Sequence, residues 1–280
     1  MSNYFDIYNN NIRDFCKQLK DCYYEVYGSN NNPEYGEIIS WAANMTMEII
    51  SNTDALYHNV EHTMHVTLVG QEILRGKHIR ETVSPYNWLH FIISLLCHDI
   101  GYVKGACRED DLNEGLFADG KGGMVKINMD GTDASLTPYH VSRGRWFVVD
   151  RFAGHKIINP NIIMENIELT RFPVPDDEDH KDTTNYPGLV RAADLLGQLS
   201  DIKYTNKTAA LFYEFEETGE NKKRGWATPG DVKRSYPTFF WNCVMKYVGP
   251  AIEHLKLTQN GKKYINSLYS QVFQAEHNLH

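Results

Sequence analysis

Apolar residues recur at intervals of three and four along most of the chain, the period of an amphipathic helix, and alternating stretches are scarce. From about residue 11 to 50 the pattern predicts two helices, a scaffold at the N-terminal end (about 1–50), broken at the Asn-rich turn GSNNNPEYG. Further helices are predicted over about 59–74 and 87–99, with Gly101 placed to stop the second. Thr137 followed by Pro138 reads as an N-cap and first helical residue, opening a helix through YHVSRGRWFVVDRF. Three more are predicted over about 187–201, through TAALFYEFEET and across FFWNCVMKYVGPAIEHL. Residues 105–137 differ, being rich in Gly, Asp and Asn; in this long loop insertion only MVKINMDGT suits a short hairpin, turning at its Asp-Gly. No repeat, low-complexity tail or interdomain linker interrupts the pattern. The prediction is one all-α domain over 1–280 with at most a short β-hairpin in the insertion.

Composition narrows the class. With 280 residues and 42% hydrophobic content, the chain can bury a sizeable core around an enclosed site. Its 28 Lys and Arg are outnumbered by 36 Asp and Glu, a net charge of -8, so no nucleic acid polymer is expected as a partner. The five cysteines, Cys16, Cys22, Cys97, Cys107 and Cys243, are scattered without CxxC spacing, as suits a reducing cytoplasm. The start MSNYFDIYNNNIRDF has no secretory pattern, and no window approaches the roughly 18 apolar residues of a membrane span. A cytoplasmic protein, neither secreted nor membrane-embedded, is expected.

Three segments carry candidate chemistry. In YHNVEHTMH, His58, His62 and His65 fall at i, i+4 and i+7, so one helix face would aim three imidazoles at one centre. Taken alone, such a triplet fits structural histidines equally well. In FIISLLCHDIG an apolar helix ends on His98 and Asp99, and a buried carboxylate beside an imidazole requires a partner or a cation. In LVRAADLLGQLSD, Arg191, Asp194, Gln198 and Asp201 line one side of a helix otherwise made of Ala and Leu, which by itself would be a solvated stripe. Together the segments supply a mixed set of imidazoles and carboxylates suited to zinc, manganese or iron, with a carboxylate able to reach a harder ion such as magnesium.

The ordered set His62, His98-Asp99 and Asp194 resembles the H…HD…D signature of the HD superfamily of metal-dependent phosphohydrolases. Within it, YHNVEH followed by SLLCHDIG looks closest to the catalytic domain of class I cyclic nucleotide phosphodiesterases. The close match covers about residues 57–102, and Asp194 by position. The resemblance implies an HD-domain-like helical bundle, one or two divalent ions, and His62, His98, Asp99 and Asp194 as ligands, with Asp99 also facing a second ion. It implies hydrolysis of a phosphate ester, a phosphodiester such as a cyclic nucleotide, by metal-activated water with His58 as general acid and a small phosphorylated substrate.

The chain also departs from that pattern. His98-Asp99-Ile100-Gly101-Tyr102 replaces HDxDH, putting Tyr102 where a histidine is usual, and His65 stands where Asn or Asp is usual. No purine-reading glutamine precedes the aromatic run Phe239-Phe240-Trp241, leaving Gln198, with Asn59, as candidate substrate contacts. The aromatic run fits base stacking or core packing. His65, His140, Tyr102 and Arg143 are candidates for a second metal or a substrate phosphate. Arg143 and Arg145 are equally compatible with ordinary helix arginines, and Asp110 and Asp111 lack EF-hand spacing. Two alternatives stand beside hydrolysis: a di-iron oxygenase of HD type, in which His65 and His140 would bind iron, and a non-catalytic metal- or ligand-sensing HD domain.

Overall fold

The computed structural model describes residues 2–277. Helix starts in this chain are commonly written as a capping side chain followed by proline. Ser84 Oγ accepts from the Asn87 N–H ahead of α4 (Pro85–Cys97), and Asn159 and Asn185 do the same for α6 (Pro160–Glu168) and α7 (Tyr186–Ser200). A capping box of Thr228 and Asp231 around Pro229 opens α10 (Pro229–Phe239). The remaining helices are α1 (Ser2–Tyr27), α2 (Pro33–Ile50), α3 (Val60–Arg80), α5 (His140–Phe152), α8 (Tyr204–Thr218), the short α9 (Glu220–Arg224), α11 (Met245–Leu255) and α12 (Gln259–Glu276). The fold is all-α, and one hydrophobic cluster runs from Phe15 in α1 to Val272 in α12. Among the described residues no helix is long and apolar enough to cross a membrane.

Several predicted elements sit elsewhere than the pattern placed them. α1 begins at Ser2, upstream of the expected start, and α6, α10 and α12 were outside the predicted set. The helix expected to open at Thr137 starts at His140, because Thr137 instead ends the 3₁₀ turn Asp133–Leu136. The hairpin exists, but pairs Leu116–Ala118 (β1) with Met124–Lys126 (β2) in antiparallel register. Its turn is at Asp119–Gly123, where Asp119 Oδ1 accepts from the N–H groups of Lys121 and Gly123, and where Gly120 and Gly122 hold positive φ. Asp130-Gly131 forms a separate turn, with the Gly131 N–H donating to Asn128 O.

Two close approaches position the site. α7 is buried on nearly its whole circumference and packs most extensively on α3. The contact is possible because Gly197 lacks a Cβ, which would lie 2.7 Å from Val66 Cα. Gly101 does not stop α4, which ends at Cys97. Its value is proximity: a Cβ there would lie 1.9 Å from His140 O, so glycine lets α5 cross directly over the turn that follows His98 and Asp99.

Arg143 locks that crossing. Fully buried, it donates Nε to Gly101 O (2.7 Å), Nη1 to Ala118 O (2.7 Å) and Nη2 to Val103 O (3.1 Å), and both Nη groups reach the Asp110 carboxylate. All its donors are committed to the protein, so it is not a phosphate ligand, and Asp110 is its counter-ion.

Overpacking the α3–α7 contact should separate His62 from Asp194. We expect Gly197→Ala to lower unfolding free energy by about 1–3 kcal/mol, measured by denaturant titration; an unchanged midpoint would show that the two helices can part without loss.

Candidate metal centre

Four side chains from three helical segments meet beneath the mouth of a cavity. Asn59 adopts extended backbone (φ -133°, ψ -174°) and caps α3, its Oδ1 accepting from the N–H groups of Glu61 and His62. The cap fixes His62 in the first turn, where it faces inward. α4 delivers His98, fully buried, with its Nδ1 2.7 Å from Leu95 O. Nδ1–H therefore donates to that carbonyl, and the lone pair of Nε2 is turned toward the cluster. Asp99 follows with backbone in the bridge region (φ -105°, ψ 4°), and α7 contributes Asp194.

The distances are mutually consistent with one enclosed point. Asp99 Oδ2 lies 3.2 Å from His62 Nε2 and 3.1 Å from His98 Nε2, while Asp194 Oδ1 lies 3.7 and 3.6 Å from the same two nitrogens. His62 Nε2, His98 Nε2 and Asp99 Oδ2 are buried without a hydrogen-bond partner. Three orphaned polar atoms aimed at one another would be strongly destabilising in a protein interior unless a cation lies among them. Two overlapping triplets, His62/His98/Asp194 and His58/His62/Asp99, could each hold a metal ion, and the imidazole and carboxylate donors of His62, His98, Asp99 and Asp194 suit a divalent one.

Electrostatics agree with that reading. Burial disfavours a charged His98, yet the Asp99 and Asp194 carboxylates outweigh it and draw the imidazole's pKa well above the ordinary histidine value. The field that attracts a proton there attracts a metal ion equally. Burial would likewise raise Asp99, but His98, His62 and His58 hold it well below the usual carboxylate range.

His58 comes to the site from outside α3. Because Asn59 is the cap, the expected helical face of His58, His62 and His65 does not form. His58 is held from the loop by Glu214 of α8, whose Oε2 is 2.5 Å from His58 Nδ1 while Oε1 accepts the backbone N–H groups of Tyr57 (2.6 Å) and His58 (3.2 Å). Burial opposes the imidazolium, but Glu214, with Asp99 and Asp194 behind it, lifts the His58 pKa to about 9. His58 is therefore charged at neutral pH and shares a cluster with His62 and Asp99. Sequence reasoning missed Glu214; its only signal was an acidic residue on the buried face of α8, three positions after Leu211.

Tyr102 stacks between two imidazoles, His58 at 4.4 Å and 13° and His140 at 4.3 Å and 21°. Burial, then the charges of Asp99 and Glu214, push its pKa well above that of a free phenol, so it stands as a neutral ring. His140 donates Nδ1–H to Thr137 O (2.6 Å) and places Nε2 4.0 Å from Asp99 Oδ1, the carboxylate oxygen turned away from the main cluster. Burial lowers the His140 pKa, leaving a neutral imidazole.

Other candidates fall away from the centre. His65 points toward α12, edge-on to Tyr264 at 5.6 Å, and lines a groove against α1 instead of the metal cluster. Asn59 is committed to capping and also donates to Leu56 O, so it is not a substrate contact. Arg145 pairs with Glu168, Asp201 with Lys207, and Asp111 caps a turn through Asn113 and Glu114. Gln198 does reach the cavity, where its Nε2 is 3.5 Å from Tyr204 Oη. The aromatic run divides: Phe239 lines the cavity, Phe240 is core, and Trp241 is exposed with Nε1 donating to Glu276.

Fold and site together define an all-helical protein with a buried His/Asp cluster able to hold a metal ion. The chain belongs to the Npun_R2479-like family, whose sequence model matches residues 5–278. Among curated proteins none matches it.

The Glu214 pair yields a signed pH dependence. His58's pKa is raised from 6.5 to about 9 on folding, so its stabilisation is complete below pH 6.5 and lost as pH rises through about 9. In Glu214→Gln, His58 should titrate well below 9 by histidine NMR, and the stability gap to wild type should shrink between pH 6.5 and 9. An unmoved His58 would mean that Glu214 does not control its charge.

Proposed function

We propose that this protein is a metal-dependent phosphohydrolase acting on a small phosphate ester, with His62, His98, Asp99 and Asp194 holding the cation and His58 donating the proton to the leaving group. The observation that carries this reading is the juxtaposition of an orphaned His/Asp cluster with an imidazolium held charged by Glu214 at its edge. A bound divalent ion supplies Lewis acidity, making water acidic near neutrality and offsetting charge on phosphoryl oxygens.

The protein's own groups supply the rest. Asp194 is the ligand with 22% of its side chain exposed, and it faces the cavity, so a substrate phosphoryl group would enter over it. His58 is grouped with His62 and Asp99 while Glu214 holds Nδ1–H, which fixes the ring and leaves its other nitrogen for proton transfer to a departing oxygen. Tyr102 stacked on His58 restrains the ring and offers its π-face to the imidazolium. The cavity of about 430 Å³ is of small-molecule size. The free thiols, with the cytoplasm expected from the sequence, suit such an enzyme.

Specific observations weigh against the two alternatives. A di-iron oxygenase with His65 as an additional ligand would need that imidazole at the centre, and it faces Tyr264 instead. Beside Asp99 Oδ1, a second ion would find His140, while the neutral Tyr102 ring fills the space toward His58 and His58 itself is bound to Glu214. We therefore expect one tightly held ion per chain. A purely sensing domain has no need of a charged proton donor locked beside the cluster.

Metal analysis of protein purified without chelators should give about one equivalent, and Asp99→Ala should lose it; two equivalents in wild type would contradict the mononuclear reading. With manganese or magnesium restored, turnover should be found in a panel of phosphodiesters, monoesters and nucleotides. His58→Ala should keep the metal while kcat falls by about 10²–10⁴. Failure to cleave any ester by the metal-loaded protein would remove the proposed function.

A further inference from the structure

The cavity beside the cluster has a lining of two kinds. His58, Asp99, Tyr102, His140 and Asp194 supply its polar, cluster-forming part, and Leu195, Leu211, Phe215, Trp226, Val232 and Phe239 supply an apolar wall. Several polar side chains of the lining donate within the protein. Gln198 Nε2 donates to Tyr204 Oη (3.5 Å), Tyr236 Oη to Leu199 O (3.5 Å) and Ser235 Oγ to Val232 O (2.8 Å). Thr238 and Asn242 line the cavity as exposed residues.

The three arginines lining the cavity are held by the protein to different degrees. Arg171 is clamped to Glu168 and donates Nη2 to Ser142 Oγ. Arg191, buried against the Tyr247 ring at 4.3 Å, donates to His180 O (2.7 Å) and Asp182 O (3.0 Å). Arg224 lies over Trp226 and Phe215 and 3.6 Å from Glu220. Arg191 keeps a buried Nε without a partner and Arg224 rests mainly on aromatic rings, but most of the remaining lining is apolar surface with few groups to read the hydrogen-bonding edge of a base.

Resting on the phosphohydrolase reading, we propose that the substrate is a phosphoester carrying a single phosphoryl group on an apolar alcohol, seated with the phosphoryl group at the His/Asp cluster and the hydrocarbon or aryl portion against the Leu211–Phe215–Trp226–Val232 wall. A nucleotide would instead set a polar base and sugar against this apolar surface.

Binding can be read separately from turnover. Methyl-, butyl-, octyl- and phenylethylphosphonate, which cannot be hydrolysed at the P–C bond by water attack, would be titrated calorimetrically into the manganese-loaded full chain, with adenosine monophosphate and triphosphate alongside. Affinity should rise up to about fourfold for each methylene that enters the wall, and octylphosphonate should outcompete both nucleotides. Trp226→Ser should flatten the series, weakening octylphosphonate much more than methylphosphonate. A wild-type series that is flat, that shows no binding at any length, or in which either nucleotide binds tighter than octylphosphonate overturns the proposal. Hydrolysis of the matching esters is scored independently: a steep binding series without turnover of any ester would retain the apolar site and discard the hydrolase.

Discussion

The structure depends on the approach of two imidazole nitrogens and two carboxylate oxygens to one buried point. His62 Nε2, His98 Nε2 and Asp99 Oδ2 have no hydrogen-bonding partners, and the chain on either side of His98-Asp99, Leu95, Leu96, Cys97 and Ile100, is buried and apolar. Burying such groups is destabilising unless charge is balanced locally, a balance that a cation held between them could supply. Around that point the chain is arranged to keep the ligands close. Gly197 allows α7 to press on Val66 of α3, and Gly101 allows α5 to press on the turn carrying Asp99.

A second layer governs protonation. Glu214 accepts two backbone N–H groups and the His58 ring at once, so the loop before α3 is fixed in the same act that charges the imidazole. Tyr102 then separates His58 from His140 by stacking on both. The two histidines flank one ring and differ in state, His58 raised by a carboxylate partner and His140 lowered by burial with only a backbone carbonyl on Nδ1. Environment alone favours the charged form of one ring and the neutral form of the other.

Arginine shows why residue type is a weak guide to role. Arg143 sits close in sequence to His140 and resembles a phosphate-binding fork, yet its donors go to Asp110 and to the carbonyls of Gly101, Val103 and Ala118. It binds the 105–137 insertion to the helical body. Arg171 and Arg191, which line the cavity, likewise spend donors on Ser142, His180 and Asp182.

From its sequence alone this chain declared a helical bundle and the four residues His62, His98, Asp99 and Asp194 that the fold brings together, because helical period and motif spacing are local properties. His58 was legible as a motif residue, though not through the helical face that seemed to include it; one capping asparagine ended that periodicity before it began. Glu214, the stacking of Tyr102, the retreat of His65 toward Tyr264 and the enclosure of Arg143 were settled only by tertiary contacts. Glu214 lies 156 residues from His58, so no local pattern could pair them. Whether an imidazole is a ligand, an acid or a packed ring depends on which distant groups surround it, and that is decided when the helices close.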